Sequence, residues 1–204
     1  MTTGTLGFTF SEVMSGGVML GETDPEKGLA QAKAAHTILA MHNTIVIDDL
    51  DRFIKDPAHL GSISGSIDWA PFGQGIPCPT GVFNLFSPTN DPALKFMIYE
   101  LAFEHGGQPY YFAGHKEVRV HPLLDMWKDT TTLYSQIHRG TDKSGPVVAA
   151  GVVSLGPIDL LKMVRTFKAI NASGPKDAAA AVTKFGTFFM GELWTTYVTK
   201  AEGA

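Results

Sequence analysis

A chain of 204 residues with 44% hydrophobic content can close one domain around its own core, so a single domain over 1–204 is expected. With 16 Lys and Arg against 20 Asp and Glu it offers no basic face to a phosphate backbone, which sets nucleic acid aside as a partner. The single Cys78 excludes an intrachain disulfide and a cysteine zinc cluster.

The opening "MTTGTLGFTF" has no basic segment ahead of an apolar one, and no stretch approaches the roughly 18 apolar residues of a spanning helix. The expectation is a cytoplasmic chain with no membrane span. From the first aromatic residues onward, runs with strand chemistry are separated by clusters of Gly, Pro, Asn and Asp. In order they are "TLGFTFSEVMSG", "AHTILAMHNTIVI", "GSISGSIDW", "TGVFNLFS", "LKFMIYELAF", "PYYFAGHKEV", "TTTLYSQIH" and "PVVAAGVVSL". About eight antiparallel strands suffice to close a small barrel around side chains or one ligand. The fold expected for 1–156 is therefore a mainly β, eight-stranded antiparallel barrel. Between the second and third runs, "DDLDRFIKDP" predicts a short helical turn, capped by Asp49 or Asp51 and stopped at Asp56-Pro57.

After residue 156 the period changes. In "GPIDLLKMVRTFKAI" the apolar positions Ile158, Leu161, Val164, Phe167 and Ile170 recur at three and four, with Pro157 suited to a first turn. A second segment places Ala178, Val182, Phe185, Phe189 and Leu193 on one stripe. Residues 157–204 are thus expected to form two C-terminal α-helices packed on the barrel.

The hairpin "MIYELAFEHGGQPYYFAGHKEV" carries the most pointed question. A turn centred on Gly106 would set Glu100 opposite Phe112, Ile98 opposite Gly114 and Phe96 opposite Lys116, all on one face. If that face lines the barrel, Glu100 and Lys116 are desolvated charges, and a carboxyl and an ammonium so placed can serve acid–base or electrostatic catalysis. If it faces outward they form an ordinary structural pair. Phe96, Ile98, Tyr110 and Phe112 would be the apolar and aromatic contacts of such a pocket. In "DMWKDTTTLYSQIH", Thr130, Thr132, Tyr134, Gln136 and His138 share one alternating face, which either offers Thr132, Tyr134, Gln136 and His138 to a ligand or meets solvent.

Other signals are weaker. Seven histidines include no pair at the strand or helix spacing that metal sites use, and Asp48, Asp49 and Asp51 are explained by a capped turn, so no metal is expected. Cys78 lies between Pro77 and Pro79 without activation, and "GSISG" has Ile63 where a nucleophile elbow needs Ser. "GQGIPCPTG" lacks the third glycine of a dinucleotide fingerprint, so no flavin or nicotinamide cofactor is expected.

The hairpin, with "DMWKDTTTLYSQIHRG", "FFMGELWTTYV" and the opening "FTFSEVMSG", resembles the non-flavin domain that accompanies bacterial glucose-methanol-choline (GMC) oxidoreductases of the cholesterol-oxidase-like branch. The resemblance implies a barrel similar in kind to lipocalins or allene oxide cyclases, and association with sterol-like or other apolar substrates. It carries no catalytic residues. Three functions follow as expectations: binding of an apolar small molecule (sterol, terpenoid or polyketide-like) in the lumen, cofactor-independent isomerisation or cyclisation of such a molecule, and docking to a partner oxidoreductase through the helical stripe or Trp194 and Tyr197.

Overall fold

The structure is a computed structural model and describes residues 4–119 and 126–194, with the backbone alone for Trp127. His121 and Tyr197 lie outside the described residues. The elements in chain order are β1 (Gly7–Leu20), α1 (Pro25–Ala35), β2 (Ile38–Ile47), α2 (Leu50–Lys55), β3 (Leu60–Trp69), β4 (Gly73–Cys78) and β5 (Thr80–Pro88). They continue with β6 (Leu94–His105), β7 (Gln108–Arg119), α3 (Met126–Thr131), β8 (Thr132–Arg139), β9 (Val147–Ser154), α4 (Pro157–Arg165), β10 (Lys168–Ile170) and α5 (Pro175–Trp194).

Eight strands, β1-β2-β3-β5-β6-β7-β8-β9, pair antiparallel in sequence, and β9 returns to β1 to close the barrel. All eight strand runs expected from the sequence are present. Following the pairing once around leads from Thr9 through Val46, Ser62, Val82, Glu100, Ala113, Gln136 and Ala150 to Met19, ten residues further along β1. That stagger tilts the strands and sets an interior wide enough for side chains or one small ligand. β4 stands off the ring on β3, and β10 pairs with the start of β1.

Alternation fills the interior. Phe8, Phe10, Met14 and Val18 of β1, Leu39, Met41 and Ile45 of β2, and Met97, Leu101 and Phe112 of the β6–β7 hairpin are all buried. Each large apolar side chain contributes about 1.5–3 kcal/mol by leaving water. Both ends are shut by aromatics. At one, Phe185 of α5 stacks on Phe8 at 4.3 Å, while Phe188 and Phe189 reach Phe53 and Phe86. At the other, Phe72 sits 4.9 Å from Trp69 and 4.8 Å from Tyr110, and Phe103 stacks on Tyr110.

The helices depart from the sequence reading in three places, one of them α3, a helical turn over Met126–Thr131 where a loop and then a strand from Thr130 were expected. α1 was not expected: its apolar stripe is short because it packs by close approach, Gly28 lying so near β9 that a Cβ there would fall 2.0 Å from Ala150 O. In α4 the expected stripe is inverted. Leu160 and Met163 turn to the core, while Ile158, Leu161 and Val164 are 67%, 63% and 50% exposed. The three-residue recurrence ran past the helix end at Arg165 into β10, so Phe167 and Ile170 do not share its face. α5 follows its stripe, with Phe185 and Leu193 buried, Ala178, Val182 and Phe189 half-buried, and Ala181 buried beside them. α2 is capped by Asp49, whose Oδ1 accepts from Arg52 N at 2.9 Å, and ends at Asp56.

Candidate functional site

The β6–β7 turn fixes which hairpin charge enters the barrel. Gly106 and Gly107 both adopt positive φ, 59° and 73°, so the loop has two residues and its centre lies between them. Glu100 therefore faces Ala113, Met97 faces Lys116 and Ile98 faces His115. The sequence register was one residue short, and such a slip moves partners across the sheet. As a correction, Glu100 and Lys116 lie on opposite faces.

Glu100 points outward, where its carboxylate accepts from Tyr111 Oη at 2.6 Å and pairs with Lys143 Nζ at 2.8 Å. Phe96 and Ile98 share that outer face, Phe96 with its ring 5.0 Å from His115. Thr132, Tyr134 and Gln136 also turn outward, because Leu133, Ser135 and Ile137 take the inward positions of β8. Gln136 Nε2 donates to Thr23 O at 2.8 Å. A register shift after Ile137 buries His138, whose Nδ1 meets Gly145 O at 2.9 Å. Of the residues read as pocket contacts, Phe112 and Tyr110 face inward, Phe112 fully buried and Tyr110 at the aromatic end of the barrel.

Lys116 enters the interior and finds partners the sequence reading missed. Its Nζ donates to Tyr99 Oη at 3.2 Å and lies 4.7 Å from the centre of that ring. Gly114 stands directly across from Tyr99, and its missing side chain is filled by Leu133 and the Phe112 ring, which a Cβ there would meet at 2.9 and 3.0 Å. Two further polar side chains project inward as cross-strand partners, Glu12 of β1 and Asn43 of β2. Exposure is 4% for Glu12, 2% for Asn43, 3% for Tyr99 and 2% for Lys116. The alternations Phe8-x-Phe10-x-Glu12-x-Met14 and Leu39-x-Met41-x-Asn43-x-Ile45 would have shown both, since each puts one polar residue in the apolar phase.

Burial drives the electrostatics. Desolvation pushes the Glu12 carboxyl up, with the Lys116 charge and then Tyr99 and Asn43 pulling it back. It pushes Lys116 down, with Glu12 opposing. The Tyr99 phenol is raised well above its ordinary value by burial and then by the Glu12 charge and its hydrogen-bonding interaction with that carboxyl. The phenol is hydrogen-bonded to the ammonium and lies within electrostatic reach of the carboxyl. Among the described residues, Glu12 Oε1 and both Asn43 polar atoms, Nδ2 and Oδ1, are buried with no hydrogen-bond partner, the two side chains lying close enough for Asn43 to lower the Glu12 carboxyl but without a full hydrogen bond between them. Each such atom costs about 1–3 kcal/mol.

The remaining candidates do not assemble into chemistry. Cys78 is buried and free, and burial pushes its thiol up to about 12, far from a nucleophile. His36 caps the end of α1, and His42 is held by Asp68 at 2.9 Å. Among the described residues no cluster of three His, Cys, Asp or Glu side chains could hold a metal, and no helix is long and apolar enough to cross a membrane. No protein-family model matches the chain, and comparison with curated proteins and with solved structures returned no match.

Proposed function

We propose that the barrel binds an apolar small molecule carrying one polar group, received by Glu12, Asn43, Tyr99 and Lys116. The observation behind this reading is the trio of unpartnered atoms, Glu12 Oε1, Asn43 Nδ2 and Asn43 Oδ1, beside a buried ammonium. Buried polar atoms are nearly always paired, and a ligand that supplies donors and an acceptor here would relieve the cost. The dense packing of the interior limits the guest. It has to displace Met14, Met41 or Met97, whose unbranched side chains yield more readily than the aromatics. Sterols, terpenoids and polyketide-like molecules stay as classes to screen, the smaller members first.

The test is native mass spectrometry of the purified protein with organic extraction, followed by a thermal-shift screen of these classes. A stoichiometric apolar adduct, or a shift of several degrees that disappears in Asn43→Leu, is expected. No adduct and no shift with any class would overturn the reading.

Opposed displacements of an acid and an ammonium within one cluster favour a catalytic version of the same site, a cofactor-independent isomerase or cyclase. There Glu12 would move a proton while Lys116 and Tyr99 hold the developing negative charge on a carbonyl oxygen. Turnover lost with binding retained in Glu12→Gln would separate it from simple binding. The exposed Ile158, Leu161 and Val164 support a docking reading instead, with a GMC-type oxidoreductase as partner. Leu161→Glu should then abolish a complex with such an enzyme without altering ligand-induced thermal shifts.

A further inference from the structure

Outside the barrel, the C-terminal end of α1 and the adjoining strands enclose a groove of about 470 Å³. Its floor is bare backbone and short side chains, Gly16 and Gly17 of β1 and Val152 of β9, and its walls are Leu29 and Ala32 of α1 and Ile38 of β2. Gly17 is what lets α1 come down onto the sheet, since a Cβ there would meet Ala32 Cβ at 3.0 Å and Leu29 Cδ1 at 3.1 Å. Ile38 is 64% exposed, an apolar side chain at the mouth with nothing over it. The volume falls in the roughly 300–1,000 Å³ range of small-molecule sites.

The rim is cationic. Lys33 and His36 both line the groove, and among the described residues neither belongs to an ion pair. The carbonyl end of α1 would repel an anion, but the His36 N–H covers Ala32 O and Lys33 O. Thr37 and Ser154 add hydroxyls beside the two basic groups. A mostly apolar trough with one fixed positive charge, an imidazole and two hydroxyls at its edge matches a chain with a singly charged head.

We propose that this groove binds a small amphiphilic carboxylate, its alkyl chain over Gly16, Gly17 and Val152 and its carboxylate between Lys33 and His36. The site is separate from the barrel interior, and its occupancy does not depend on Glu12, Asn43, Tyr99 or Lys116.

Decanoate below its micelle concentration is the probe, followed by amide shifts of the 15N-labelled chain, with 1-decanol as the uncharged comparator. Saturable shifts are expected at Gly16, Gly17, Thr37 and Val152, with decanoate binding more tightly than decanol. Lys33→Glu with His36→Asn should weaken decanoate about tenfold and leave decanol unchanged, because the attractive charge contact is replaced by a repulsive one. Asn tolerates the left-handed backbone at position 36, where φ is 53°, so the helix end survives the change. Absence of saturable shifts at those amides, equal affinity for decanoate and decanol, or shifts confined to Glu12 and Asn43 would each overturn the proposal. The last of these would favour the barrel site instead.

Discussion

Glu100 and Lys116 stand on the two strands of one hairpin and illustrate opposite solutions for a charge. Glu100, on the outer face, is shared by the part-buried Tyr111 phenol and the exposed Lys143, and its own side chain keeps 12% of its surface in water. Lys116, on the inner face, lost its water entirely and keeps a phenol at 3.2 Å and an acid beyond it. The same residue types thus carry different weight depending on a half-turn of strand. A structural ion pair on the outside is replaceable, whereas a charge inside constrains every neighbour.

Removing one charge from inside should have the largest effect. Glu12→Leu leaves the Lys116 ammonium uncompensated and is expected to cost about 3–5 kcal/mol in urea unfolding, while Glu12→Leu with Lys116→Met should return to wild-type stability or above. A double-variant loss equal to the sum of the Glu12→Leu and Lys116→Met losses would show that the two groups do not interact.

The pH dependence of the same comparison has a definite sign. A carboxyl raised above its ordinary 4.5 contributes stability below that value and loses it as pH rises through the raised value. A lysine lowered from 10.5 contributes above 10.5 and loses it as pH falls through the lowered value. The stability of wild type relative to the apolar double variant should therefore sag at intermediate pH and recover toward both extremes. A difference that stays flat from pH 4 to pH 10.5 would refute the displacement of both groups.

Smaller effects follow. Tyr99→Phe removes the hydroxyl between ammonium and carboxyl and should cost about 1–2 kcal/mol, with a steeper pH response than wild type. A change below the error of the urea midpoint would remove the phenol from the network. On the outer face, Glu100→Gln should cost only about 0.5–1 kcal/mol and lose its salt dependence. A loss as large as that of Glu12→Leu would erase the contrast between the two faces.

The ring of strands was legible because hydrophobic alternation and turn residues are local signals, and they mark the eight ring strands within a few residues while leaving β4, off the ring, unread. What escaped is set by tertiary geometry. The hairpin register depends on Gly106 and Gly107 both taking positive φ, which composition alone does not announce. α1 is held by the close approach of Gly28 and by Ala32, so it lacked the broad apolar stripe by which helices are read. Lys116 was singled out for the right reason and given the wrong partner. Glu12 and Asn43 were visible as breaks in two alternations, but only closure of β1 against its neighbours brings them near Lys116.

That closure has a consequence for the order of assembly. β1 pairs along one side with β2, its near neighbour in sequence, but its other side waits for Ala149 to Ser154 of β9. On a growing nascent chain the free side of β1 is an apolar edge, the kind that invites pairing with the wrong molecule, and nearby pairs form sooner than distant ones. Glu12 puts a charge on the inner phase of that waiting edge, which discourages dry stacking until Lys116 has been made and can meet it. Pulse-labelled exchange should then find the β1–β2 amides protected before those of β1–β9, and Glu12→Leu should aggregate during refolding even with Lys116→Met restoring the final stability.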